Sequence, residues 1–215
     1  MPKYKNIIFD ADGTLLDTLP EILLGFNYAM EKCGRPLFTR DEVKPFIGPS
    51  IIETLKNTLG FCDDGAKVAL GHYRDFYSET GHAMASFFEG IPKLLGELKK
   101  AGCTLCIATN KPQIYIDKII EKLGFSKYFV CVAGPEYGDA STDKTPLIKR
   151  AMVAAKDPHV MVGDRFIDIE GAKGAGIDCI AVEWGTAAEG EFEKHKPTYT
   201  AKTPKDVLDI ILSEK

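Results

Sequence analysis

The chain has 215 residues, 45% of them hydrophobic and 27% charged, a composition that can bury a core and that argues against disorder. A formal net charge of −4 offers no basic surplus for neutralising nucleic-acid phosphates, and no apolar run approaches the roughly 18 residues of a membrane span. Nucleic acid and membrane are therefore disfavoured as partners, and a small ligand is expected.

Residues 1–9 contain only a short apolar patch and no signal-peptide pattern, and the six cysteines at 33, 62, 103, 106, 131 and 179 lack the dense spacing of a disulfide scaffold. A reduced, cytoplasmic protein is expected, either monomer or homodimer. The Cys103–Cys106 pair lies in a strand-like run, where residues three apart face opposite ways, so both are read as small buried side chains.

A first strand is predicted at Asn6–Phe9. From about Thr18 to Ser86 helix signals replace strand signals, with capping-box patterns at Thr18/Glu21, Thr39/Glu42 and Ser50/Glu53. The first of these helices lines up Ile22, Phe26, Ala29, Met30 and Cys33 on one face. Further apolar runs at Cys103–Ala108, Tyr128–Ala133, Val160–Val162 and Cys179–Val182 are too continuous for half-solvated strands. They suit a parallel sheet covered on both faces, with helices at Ile91–Ala101 and Ile114–Leu123 ended by Gly102 and Gly124. The polar segment 189–204 reads as an irregular connection to a last helix, Lys205–Leu212. The fold class is α/β: a Rossmann-like parallel sheet, residues 1–17 and 87–215, interrupted after its first strand by a helical cap, residues 18–86.

Ligands of open α/β sheets bind beyond the carboxyl ends of the strands. Strand one runs there into Asp10-Ala11-Asp12-Gly13-Thr14, strand two into Thr109-Asn110-Lys111, and the fourth into Gly163-Asp164-Arg165-Phe166-Ile167-Asp168, while a loop after the third leads to Lys144. Clustered carboxylates repel one another unless a cation sits among them, and hard oxygen donors point to Mg²⁺. Asp10 is placed to attack phosphorus as a nucleophile, and Asp12 to act as general acid and base. Thr109, Asn110 and Lys144 are the candidates for holding phosphoryl oxygens.

The string Asp10-Ala11-Asp12-Gly13-Thr14-Leu15-Leu16-Asp17 resembles the DxDGTxxD opening motif of the haloacid dehalogenase-like superfamily. Ile107–Lys111 resembles its second motif, Lys144 its third-motif lysine, and Gly163–Asp168 its GDxxxD motif, in order along nearly the whole chain. The resemblance implies a helical cap after the first strand and a phosphatase that works through an aspartyl-phosphate. It implies Mg²⁺ bound by the Asp10 carboxylate, the Asp12 backbone carbonyl and Asp164, with Asp168 a second ligand or a group behind the ligands. Phe88–Gly102 resembles the return linker and helix of phosphoglycolate phosphatase-like members. Phe46-Ile47-Gly48-Pro49-Ser50 resembles the substrate loop of phosphoglycolate phosphatases, pyrophosphatases and some nucleotidases. Gly48, Pro49 and Ser50, with Arg40 as an anion clamp, are thus candidate cap contacts to a small phosphorylated metabolite. Phosphoglycolate ranks first, and pyrophosphate and nucleoside monophosphates follow. A phosphomutase shares the motifs, but the histidine expected soon after the first motif is replaced here by Leu19-Pro20-Glu21. The intact acids argue against a silent binding module.

Overall fold

The computed structural model describes residues 2–137 and 141–213. In chain order the strands and helices begin with β1 (Asn6–Phe9), β2 (Leu16–Asp17), α1 (Leu19–Lys32), α2 (Arg40–Val43), α3 (Ile51–Glu53) and α4 (Asp63–Glu79). They continue with β3 (Ser86–Phe87), α5 (Ile91–Lys100), β4 (Thr104–Ala108), α6 (Gln113–Lys122), β5 (Phe129–Ala133), α7 (Thr145–Met152) and β6 (His159–Gly163). The last are α8 (Phe166–Ala175), β7 (Asp178–Val182), α9 (Glu191–His195), β8 (Tyr199–Ala201) and α10 (Pro204–Leu212).

Six strands form one sheet in the order β5-β4-β1-β6-β7-β8, every neighbouring pair parallel. The period of two is visible side chain by side chain. Ile7 and Phe9 of β1 join Leu105, Ile107, Val160, Val162, Ile180 and Val182 in the core beneath α5, α6 and α10. Ile8 joins Cys106, Met161, Cys179 and Ala181 beneath α7 and α8. Alternate residues therefore face opposite layers, and both layers are covered, which is why the runs carry no polar side. All six cysteines are free, and Cys103 and Cys106 are buried as the strand reading requires.

Between β2 and β3 the chain is helical and packs around its own cluster. Ile22, Phe26, Ala29 and Met30 of α1 meet Phe46, Leu55, Ala66, Ala69, Tyr73 and Tyr77, with Tyr115 of α6 added from the sheet side. A two-stranded antiparallel ribbon, Leu16 against Phe87 and Asp17 against Ser86, joins this segment to the sheet. Among the described residues no helix is long and apolar enough to cross a membrane.

Four local readings differ from expectation. The ribbon is too short to show as a strand pattern. Segment 189–204 holds α9 and the edge strand β8, whose three residues are too few for a periodic signal. Thr39 and Glu42 do form a capping box, but Thr18 and Glu21 do not: Glu21 turns inward to a buried lysine and tyrosine, an ion pair a solvent-facing cap cannot match. Ser50 makes no side-chain cap either, because α3 is a single turn at the edge of a cavity.

Candidate active site

The β1 end turns sharply at Gly13, whose φ of +81° suits glycine. This turn brings Asp10, Asp12 and Thr14 toward the loops after β4 and β6. Asp10, Asp164 and Asp168 are all buried, and each offers a carboxylate oxygen within 4.8 Å of the others. Lys144, at the N-terminus of α7, lies 2.9 Å from Asp10 Oδ1 and 2.5 Å from Asp168 Oδ1. The Ala11 amide also donates to Asp10 Oδ1 at 2.7 Å, which fixes the carboxylate and leaves Oδ2 for other chemistry.

Each acid has a distinct setting. Asp164 Oδ1 accepts from the Thr14 hydroxyl at 3.1 Å, and Oδ2 accepts from the Thr186 amide and hydroxyl at 2.8 and 2.9 Å. Asp168 Oδ2 accepts from the Arg165 amide at 3.0 Å, so both of its oxygens already have protein partners. Burial pushes the Asp10 carboxyl up to about 7, with Lys144 opposing and Asp168 and Asp12 adding to the rise. Burial likewise lifts Asp164 to about 6, helped by the Asp10 charge, and raises Asp168 against the pull of Lys144. Lys144 is raised too, because Asp10 and Asp168 outweigh its own burial.

These donors fit a hard divalent cation: three carboxylates converge, their second shell is hydrogen-bonded, and backbone crowds them from behind. A Cβ on Gly13 would lie 2.2 Å from Asp164 Oδ2, and one on Gly163 would lie 2.2 Å from the Asp168 carboxyl carbon, so both acids sit against positions where only glycine fits.

A cavity of about 280 Å³ stands over the acids. Asp10, Asp12, Thr109, Asn110 and Lys144 line its floor, and Gly48, Pro49 and Ser50 line its wall. The helical segment supplies Ile22, Phe46, Leu70, Tyr73 and Tyr77, and α6 supplies Tyr115. Loop 47–48 is tied to the sheet: Asn110 donates to the Gly48 carbonyl at 3.3 Å, and the Arg165 guanidinium donates to the Ile47 carbonyl. Arg165 also pairs with Glu191 at 3.1 Å. Arg40 is exposed on α2 and is not part of the lining, so the structure does not bring it to the other candidates.

The family model described as haloacid dehalogenase-like hydrolase matches residues 7–182. The chain belongs to the haloacid dehalogenase-like hydrolase family. This hydrolase is a phosphatase of that family. It is 34% identical over 200 residues to a 5'-nucleotidase of Pseudomonas aeruginosa, covering 92% of this chain and 90% of the other. It is 29% identical to a phosphoglycolate phosphatase of Vibrio parahaemolyticus, covering 96% of each chain. Among solved structures, a predicted phosphatase from Clostridium acetobutylicum superposes with a TM-score of 0.90 at 27% identity, over 97% of this chain and 98% of that one.

Some residues of this hydrolase's site had no assigned role in the sequence. Lys111 is buried with its ammonium 2.8 and 3.0 Å from the two Asp12 oxygens. Thr186 and Arg165 fix the acids and the cap loop. Lys111 and Arg165 stood inside recognised motifs, so their location was visible even though their partners were not. Thr186 lies beyond any motif and carried no signal.

Proposed function

We propose that this hydrolase cleaves a small phosphomonoester through an aspartyl-phosphate on Asp10, with Mg²⁺ as its metal. The observation that carries the reading is the buried cluster of Asp10, Asp164, Asp168 and Lys144, in which Asp10 and Lys144 line the floor of a cavity, so that a phosphoryl group there would meet both a nucleophile and a cation. Asp10 and Asp164, with the Asp12 carbonyl, would hold Mg²⁺, and Asp168 stands behind them as the partner of Lys144. When bound, the cation supplies the positive charge that lets a phosphate dianion approach the carboxylates.

The remaining steps belong to the chain. Asp10 Oδ2 bonds to phosphorus as the bond to the leaving oxygen breaks, and Asp12 gives that oxygen its proton. Thr109, Asn110 and Lys144 hold the non-bridging oxygens, where negative charge is greatest. Asp12 then takes a proton from water as the water oxygen attacks phosphorus, which releases inorganic phosphate and restores Asp10. The test is turnover of an aryl phosphate with Mg²⁺. Asp10→Asn is expected to lower it by at least roughly 10³-fold, about 4 kcal/mol at the barrier, and chelation to abolish it. Activity of the variant within tenfold of wild type removes Asp10 as nucleophile.

On the substrate, the cap loop Phe46–Ser50 and the phosphoglycolate phosphatase relatives support phosphoglycolate. The cavity wall favours a second reading. Ile22, Phe46, Leu70, Tyr73, Tyr77 and Tyr115 present apolar and aromatic surface that a two-carbon acid leaves unmatched, whereas a planar ring system buries it. A nucleoside monophosphate is such a substrate, and the P. aeruginosa relative is named for that activity. Comparison of kcat/KM for a nucleoside monophosphate and phosphoglycolate decides between them: an advantage of tenfold or more for either one excludes the other reading.

A further inference from the structure

Asp12, the proposed general acid and base, is not free to reach a leaving group as it stands. Both of its carboxylate oxygens are held by the Lys111 ammonium, at 2.8 and 3.0 Å. The same ammonium lies 3.6 Å from Oε1 of Glu21, in the first turn of α1. Glu21 is 1% exposed, and the Tyr77 hydroxyl donates to the same Oε1. Its other oxygen, Oε2, is buried with no hydrogen-bond partner among the described residues.

A buried carboxylate oxygen left without a donor is destabilising, and an ammonium has three donors to distribute. Lys111 thus stands between two carboxylates, one fully engaged and one under-supplied. A shift of about an ångström toward Glu21 would exchange one charge-assisted pair for another. Resting on the reading of Asp12 as acid and base, we propose that Glu21 is a positioning residue: it offers the alternative berth to which the Lys111 ammonium moves when a phosphate group enters, releasing the Asp12 carboxylate toward the leaving oxygen. Glu21 lies just beyond the β2–β3 ribbon that joins the helical segment to the sheet, so the berth belongs to the helical segment and the Asp12 carboxylate to the sheet side.

Two measurements on the full chain test this. The first compares kcat/KM for phenyl phosphate and p-nitrophenyl phosphate, which share a shape but differ in how much their leaving groups need a proton. In Glu21→Gln the amide cannot draw Lys111 away, so phenyl phosphate is expected to lose roughly tenfold more than p-nitrophenyl phosphate. Tyr77→Phe, which removes the donor on Oε1 without touching the charges, is expected to lose equally on both. An equal loss on both substrates in Glu21→Gln, or none, overturns the proposal. The second measurement does not depend on turnover: crystal structures with inorganic phosphate. In the wild type, Lys111 Nζ is expected within hydrogen-bond distance of Glu21 and off at least one Asp12 oxygen, whereas in Glu21→Gln it stays on both. Retention of both Asp12 contacts in the phosphate-bound wild type overturns the berth. A wild type that turns over neither ester, yet shifts Lys111 on phosphate, fails the phosphatase reading and not this one.

Discussion

Lys144→Met removes the ammonium shared by Asp10 and Asp168 while keeping an unbranched side chain only one atom shorter. The pairs are 2.9 and 2.5 Å long, and none of the three side chains is more than 4% exposed. At an effective dielectric of about 20, each contact is a gross attraction of roughly 6 kcal/mol, much of it offset by the desolvation of its partners. Breaking a buried pair by deleting one partner costs about 3–5 kcal/mol, which for a chain of this size is a fall in Tm of roughly 6–20 °C. The loss should also depend on pH in a defined direction. Asp10 titrates near 7 in the folded protein, above the ordinary carboxylate value of about 3.9, so its ionisation destabilises the fold as pH rises through that interval. Without Lys144 the folded value moves higher still, and the same destabilisation continues above pH 7. At pH 5 both proteins hold Asp10 protonated, so the gap between them narrows; at pH 8 it is widest. The assay is thermal unfolding in excess chelator at pH 5, 7 and 8. A loss below about 2 °C at pH 8, or a gap that widens toward acid, would refute the account of Lys144 as the internal counter-charge.

Gly13→Ala should damage the metal site more than the fold. Its Cβ would stand 2.2 Å from Asp164 Oδ2 at a φ of +81°, so the carboxylate must leave its bonds to Thr14 and Thr186; Mg²⁺ affinity by titration calorimetry is expected to fall at least about tenfold, and an unchanged affinity removes Asp164 from the ligands. Arg40→Ala, on an exposed turn outside the cavity lining, is expected to leave kcat/KM within about twofold; a loss beyond tenfold would restore the anion clamp.

The sheet was legible because its central strands are buried on both faces, so that Asn6–Phe9 or Cys179–Val182 reads as an unbroken apolar run. The acids were legible because a parallel sheet sends every strand's carboxyl end to one rim, which made Asp10, Thr109 and Asp164 neighbours before any coordinate was known. What could not be read was pairing between elements distant in the chain. Glu21 fits a capping box by spacing alone; only the arrival of Lys111, 90 positions later, turns it inward. Tyr73, Tyr77 and Tyr115 carried no assignment, since the wall they form exists only once Tyr77 of α4 meets Tyr115 of α6. β8 stayed hidden because a three-residue edge strand has no period to detect.

The charge arithmetic of the site supports the proposed cation. Five carboxylates gather at the site, those of Asp10, Asp12, Glu21, Asp164 and Asp168, against two ammonium groups, Lys111 and Lys144. Arg165 does not change this balance, because Glu191 takes its charge. The raised titration of Asp10, Asp164 and Glu21 is the expression of that surplus together with burial, and a phosphate dianion would add to it. The surplus is unevenly placed, however. Asp12 and Glu21 share Lys111 on the cap side, and Asp10 and Asp168 share Lys144 beneath. Asp164 alone has only neutral hydroxyl and amide donors on its oxygens, so the unbalanced charge concentrates between it and Asp10. A divalent ion would be most strongly attracted to that gap, and there it would sit beside Asp10 without displacing Lys144.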